Sequence, residues 1–211
     1  MSIRTVLFDL DGTILDSNEL IIKSFEYTFK KYNFTFTEEE LKEFNGPPLI
    51  DTFAKINPGY EEEMVKVYRE HNHDIHEQYV KLFPNVIETI EELQKNDINM
   101  GIVTAKMRVA VDLGMELTGL DQYFETIVAV DDVTHSKPHP ESVIKAMNEL
   151  NGTAETTIMV GDNYHDILAG KNAGVKTAGV AWTHKGEEYL ASYNPTYMLQ
   201  DMKDLLEIVG V

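Results

Sequence analysis

Apolar positions along the chain fall into two regimes. The first run, "TVLF" (5–8), is continuous, ends in Asp9, and reads as a short buried strand. Over residues 17–82 the spacing then becomes three to four. The stretches "SNELIIKSFEYTFKKY" (17–32), "TEEELKEFN" (37–45), "PPLIDTFAKI" (47–56) and "YEEEMVKVYREHNHDIHEQYVKLF" (60–83) all carry apolar residues at helical intervals. Ser17 is placed to cap the first of these. Thr37 and Glu40 form a capping-box pattern, and Pro47-Pro48 suits the first turn of the third helix.

From residue 85 the pattern alternates. Helices over 85–96, 106–118, 139–150 and 163–173 alternate with strands "INMGIVT" (98–104), "ETIVAV" (125–130), "TTIMVGD" (156–162) and "KTAGVAW" (176–182). A short "TYML" (196–199) and a helix over 201–209 close the chain. Strands joined through helices give right-handed crossovers and a mostly parallel sheet. The expectation is an α/β, Rossmann-like core of residues 1–15 and 83–211, with a small helical domain, residues 16–82, inserted after the first strand. Hinges are expected near Asp16–Ser17 and Phe83–Asn85.

Ligands of open parallel sheets bind past the carboxyl ends of the strands. At those ends stand Asp9 and Asp11; Thr104, Ala105 and Lys106; Asp131, Asp132 and then Lys137; Asp162 and Asp166; and finally Trp182, Thr183 and His184. Two carboxylates about 4 Å apart repel by roughly 4 kcal/mol at an effective dielectric near 20. Such a cluster must bind a proton or a cation. Oxygen ligands with no cysteine and no paired histidine point to Mg²⁺. An EF-hand calcium loop would also open on Asp-x-Asp-Gly. Here Thr13, Ile14 and Leu20 occupy the fifth, sixth and twelfth positions of such a loop, which excludes it.

Charge and composition narrow the partners. The 211 residues carry 36 acidic and 18 basic side chains, a formal charge of −18, and no cysteine. Nucleic acid and anionic membranes, which need a basic surface, are not expected partners. There is no apolar run of membrane-spanning length and no signal-peptide layout, so a cytoplasmic protein, monomeric or weakly dimeric, is expected. Thiolate catalysis and cysteine-held metals are excluded. No GxGxxG follows the first strand, so no nicotinamide site is expected. Gly170 and Gly174 read as helix-end glycines. His71, His73 and His76 cluster on the long helix and read as packing or solvent-facing side chains, with a metal the alternative.

"DLDGT" (9–13) after an apolar strand resembles the first motif of the haloacid dehalogenase superfamily of phosphohydrolases. "IVTA" (102–105), "SKPHP" (136–140) and "GDNYHD" (161–166) resemble the remaining motifs, in order and in context. The resemblance implies that Asp9 is the nucleophile and that Asp11 is the acid and then the base. It implies Mg²⁺ held by Asp9, Asp11 (through its carbonyl) and Asp162, with Asp166 acting at one remove. Thr104 and Lys137 complete the catalytic set, and Gly12 and Ala105 bring the backbone to the phosphoryl oxygens. The inserted helices resemble that superfamily's small cap, which opens and closes over the site.

"FNGPPLIDTF" (44–53), "YREHNH" (68–73) and "GDNYHDILAGKNAGVKTAGVAW" (161–182) resemble the inorganic pyrophosphatases of the superfamily. That implies a small phosphate-containing substrate. Arg69 and Lys106 are candidates for its second phosphate, with Gly46 and Pro47 in a loop that enters the site. The alternatives are a phosphoglycolate phosphatase or other small phosphomonoesterase, a sugar phosphomutase, and a catalytically silent binding module. The last expects loss of Asp9, Asp11, Lys137 or Asp162, and all four are present.

Overall fold

The computed structural model describes residues 2–45 and 47–211; Gly46, expected in a substrate loop, lies outside the described residues. The chain divides into two compact units, one running up to Asp16 and resuming at Lys81–Val211, the other spanning Ser17–Val80.

The strands are β1 (Thr5–Phe8), β2 (Leu15–Asp16), β3 (Lys81–Leu82), β4 (Asn99–Val103), β5 (Thr126–Val128), β6 (Thr157–Gly161), β7 (Lys176–Val180) and β8 (Tyr197–Leu199). Six of them form one sheet in the order β5-β4-β1-β6-β7-β8, parallel at every pairing. Strand β1 sits between β4 and β6, so Val6, Leu7 and Phe8 are fully buried, as a sheet covered on both faces requires.

The second unit holds α1 (Asn18–Lys31), α2 (Glu38–Glu43), α3 (Leu49–Ile56) and α4 (Glu61–Tyr79). Its core is aromatic. Phe25 of α1 lies 5.8 Å from Phe29, 5.8 Å from Phe53 and 4.8 Å from Tyr68, centroid to centroid. Asn72 of α4 donates to Ser24 Oγ at 3.1 Å and ties α4 to α1. The Thr37–Glu40 capping box forms as the spacing implies: Glu40 accepts from the Thr37 N–H at 2.7 Å, and Thr37 Oγ1 accepts from the Glu40 N–H at 3.3 Å. His71 stacks on Tyr27 at 3.9 Å, His73 is exposed and His76 is buried; among the described residues the three are not one of the groups whose ligand atoms converge.

Helices α5 (Val86–Lys95), α6 (Arg108–Thr118), α7 (Glu141–Glu149), α8 (Tyr164–Asn172), α9 (Glu187–Ala191) and α10 (Asp204–Val209) complete the first unit. Leu7, Val103, Val128 and Met159 from the strands pack with Val143, Ala146 and Ala169 from α7 and α8.

Several elements differ from the sequence reading. The long helix stops at Tyr79, and Lys81–Leu82 pair antiparallel with Leu15–Asp16 as a small ribbon. A two-residue strand is too short for periodicity to register. The 125–130 strand ends at Val128, because Asp132 turns back to accept the Ala129 N–H at 2.8 Å. Asp131 and Asp132 are thereby used locally: Asp131 also accepts the Arg108 N–H at 2.9 Å at the start of α6. Ser17 makes no cap hydrogen bond to α1, and the third helix starts after Pro48 rather than on Pro47. Gly174 does follow the end of α8 with φ +77°. Gly170 instead lies within α8, where a Cβ would meet Thr177 Cγ2 at 2.6 Å. It is a close-packing glycine against β7. Helix α9 was not anticipated.

Candidate active site

Each crossover of a parallel sheet returns the chain to the same edge. The first residues past β1, β4 and β6 are therefore Asp9, Thr104 and Asp162, all buried. Asp9 continues the sheet pairing by donating its N–H to Val160 O at 2.8 Å, and Thr104 does the same to Val128 O at 3.0 Å. The backbone of both residues is thus fixed by the sheet itself, which is a rigid way to hold a reacting group.

Lys137 enters from the segment between β5 and α7, and its Lys137–Pro138 peptide is cis. Its Nζ donates to Asp9 Oδ1 at 2.7 Å, to Asp166 Oδ1 at 2.5 Å and to Val103 O at 3.0 Å. An ammonium has three protons, so all of its donors are directed. Asp166 is held equally firmly. Its Oδ2 accepts the Asn163 N–H at 3.0 Å, in the capping box that starts α8.

Three carboxylates, those of Asp9, Asp162 and Asp166, offer oxygens within 4.8 Å of one another, and all three residues are buried. The buried Lys137 ammonium faces two of them. Burial first, then the neighbouring Asp166 and Asp11 charges, outweigh Lys137 and push the Asp9 carboxyl up to about 7. Burial and the charges of Asp9 and Asp166 raise Asp162 well above the ordinary carboxylate range. Despite its burial, Lys137 is held protonated by Asp166 and Asp9. An excess of buried negative charge on hard oxygen donors fits a divalent cation. Gly12 leaves the room for it: with φ +83°, a Cβ there would fall on the Asp162 carboxylate. Asp162 and the second oxygen of Asp9 are the better placed donors, since Asp166 lies directly against the Lys137 ammonium, whose charge repels a cation.

Around this cluster, Thr104 Oγ1 accepts the Lys106 N–H at 3.1 Å and keeps its own proton to give. Ala105 is exposed beside it. Lys106 was expected to meet substrate; the structure also engages it internally, Nζ to Asp11 Oδ1 at 2.9 Å. His184, past β7, brings Nδ1 to 3.8 Å from Asp162 Oδ2. Sequence reading placed His184 at this edge but gave it no role. Its neighbour Asp162 is reached only through the β6–β7 pairing. Arg69 and Pro47 belong to the other unit, where Arg69 is exposed on α4.

A carboxylate fixed at the end of a central strand, a buried lysine on one of its oxygens and a further acid, Asp162, for a cation can perform nucleophilic displacement at an electrophilic centre bearing anionic oxygens. Comparison with known proteins points to a hydrolase. The family model described as haloacid dehalogenase-like hydrolase matches residues 6–180. A protein from Oceanobacillus iheyensis named pyrophosphatase PpaX is 54% identical, with 100% of this chain and 98% of that protein covered. One of the same name from Anoxybacillus flavithermus is 50% identical, covering 100% and 99%. A solved haloacid dehalogenase-like family hydrolase from Streptococcus pneumoniae has a TM-score of 0.87 at 26% identity, covering 97% of each chain. With the four motifs gathered at one sheet edge and a family model spanning most of its length, this chain belongs to the haloacid dehalogenase-like hydrolases.

Proposed function

We propose that the chain is a cytoplasmic, Mg²⁺-dependent inorganic pyrophosphatase working through an aspartyl-phosphate. The site observation that carries the mechanism is Asp9, buried at the end of β1 with one oxygen held by Lys137. The choice of pyrophosphate is supported by the full-length relatives of that name at 54% and 50% identity.

In this reading an oxygen of the Asp9 carboxylate attacks phosphorus, and the bond to the leaving phosphate breaks as Asp11 gives the leaving oxygen a proton. Water then attacks the phosphorus of the aspartyl-phosphate and yields its proton to Asp11, releasing phosphate and restoring Asp9. Thr104 donates to a phosphoryl oxygen, and Lys137 keeps Asp9 oriented through both steps. Asp166 positions Lys137. Mg²⁺, held by the carboxylates of Asp9 and Asp162 and the carbonyl of Asp11, would supply positive charge against the phosphoryl oxygens. The helical unit is proposed to act as a cap that selects substrate.

The test is phosphate release in Mg²⁺ with pyrophosphate and 2-phosphoglycolate compared by kcat/KM. A clear preference for pyrophosphate is expected. A preference for 2-phosphoglycolate would leave the catalytic roles standing and overturn the substrate.

A further inference from the structure

Besides the trio on α4, the chain carries His135 and His139 four residues apart, and the fold brings their rings together. His135 and His139 flank Lys137 in the segment before α7, and their rings lie 4.5 Å apart at 35°. Both face Glu141, the first residue of α7: His135 Nδ1 is 2.9 Å and His139 Nδ1 3.9 Å from Glu141 Oε2. Ligand atoms of all three residues fall within 4.8 Å of one another.

We propose that His135, His139 and Glu141 form a second metal site, one that takes a borderline divalent ion such as Zn²⁺ in preference to Mg²⁺. Two imidazoles and a carboxylate suit zinc, nickel or copper, whereas magnesium prefers oxygen donors alone. Tetrahedral zinc at ordinary bond lengths sets its ligand atoms about 3.3 Å apart; His135 Nδ1 and Glu141 Oε2 stand at 2.9 Å, and a ligand atom of His139 lies within 4.8 Å of both. The carboxylate is fixed in advance. Its Oε1 accepts the Thr134 N–H at 2.8 Å and its Oε2 the His135 N–H at 3.0 Å, so little order is lost on binding. The His139 Nδ1 accepts the Glu141 N–H at 3.3 Å, so its Nε2 is the nitrogen left for metal. Both histidines are exposed, and the surrounding formal charge of −18 favours cations. Three protein ligands leave a position for water. Lys137 lies between the two histidines in the chain, so an ion here would brace the segment that delivers Nζ to Asp9 and Asp166.

The experiment is equilibrium dialysis of the full chain against Zn²⁺ in excess Mg²⁺, with three proteins: the unaltered chain, Asp162→Asn, and the double variant His135→Ala/His139→Ala. One zinc per chain is expected to survive Asp162→Asn, and the double variant is expected to bind it at least tenfold more weakly. Co²⁺ in place of Zn²⁺ should give a visible d–d band with the same dependence. Both histidines are exposed, and a melting curve of the Mg²⁺-loaded double variant checks that it is folded. No bound zinc, zinc unaffected by the double variant, or zinc lost with Asp162→Asn would each overturn the proposal.

Discussion

Lys106 Nζ donates to Asp11 Oδ1 at 2.9 Å, linking the segment after β4 to the segment after β1. Both side chains are largely shielded from solvent. If Asp11 is the proton carrier, Lys106 fixes where its carboxyl stands. Lys106→Met is expected to lower kcat for pyrophosphate by about tenfold to a hundredfold with the fold intact. Steady-state kinetics beside a circular-dichroism melt would check this; unchanged kcat would assign the pair to structure alone.

Lys137 places its ammonium against Asp9 and Asp166. Lys137→Ala leaves Asp9 and Asp166 buried without their partner and Val103 O without its donor. Removing one member of a buried pair costs about 3–5 kcal/mol. Urea unfolding in EDTA should show a loss of that order. Saturating Mg²⁺ should recover part of the stability, though not the activity.

Asp9 carries a pH signature. Its folded-state carboxyl is raised from 3.8 to about 7, so between those values the folded protein holds a proton that the unfolded chain has lost. Its stabilising contribution is complete below the unfolded value and disappears as pH rises through about 7. In EDTA, Asp9→Asn should therefore melt higher than the unaltered chain at about pH 8, and the gap should close as pH falls toward 4. A gap of the opposite sign would show that Lys137 outweighs burial. The same variant should abolish turnover; retained activity would overturn Asp9 as nucleophile.

Two glycines should fail differently when changed to alanine. Gly12→Ala needs φ +83° and puts a Cβ on the Asp162 carboxylate, so divalent-ion affinity and kcat should fall together. Gly170→Ala drives a Cβ into Thr177 on β7 and should cost about 1–3 kcal/mol of stability with kcat unchanged per folded molecule. Calorimetric Mg²⁺ titration separates the two.

The order of elements was legible because hydrophobic spacing switches from continuous to helical to alternating, and each regime buries a different face. A parallel sheet fed by crossovers then brings the strand ends to one edge, so the nearness of Asp9, Thr104 and Asp162 followed from their places after apolar runs. The Thr37–Glu40 box was legible for the same reason: its bonds are local. What spacing could not show were contacts that depend on side-chain direction across distant segments. The three bonds of Lys137, the pairing of Lys106 with Asp11, the approach of His184 to Asp162 and the meeting of His135 with His139 are of this kind. The β2–β3 ribbon joins residues on either side of the long helical insert, and each strand is too short to carry a period. Gly170 looked like a helix end because glycine favours one, and only the packing of α8 on β7 showed that the missing side chain mattered. Sequence determined which residues reach the edge, because backbone periodicity is local; tertiary structure decided which of them touch, because contact is not.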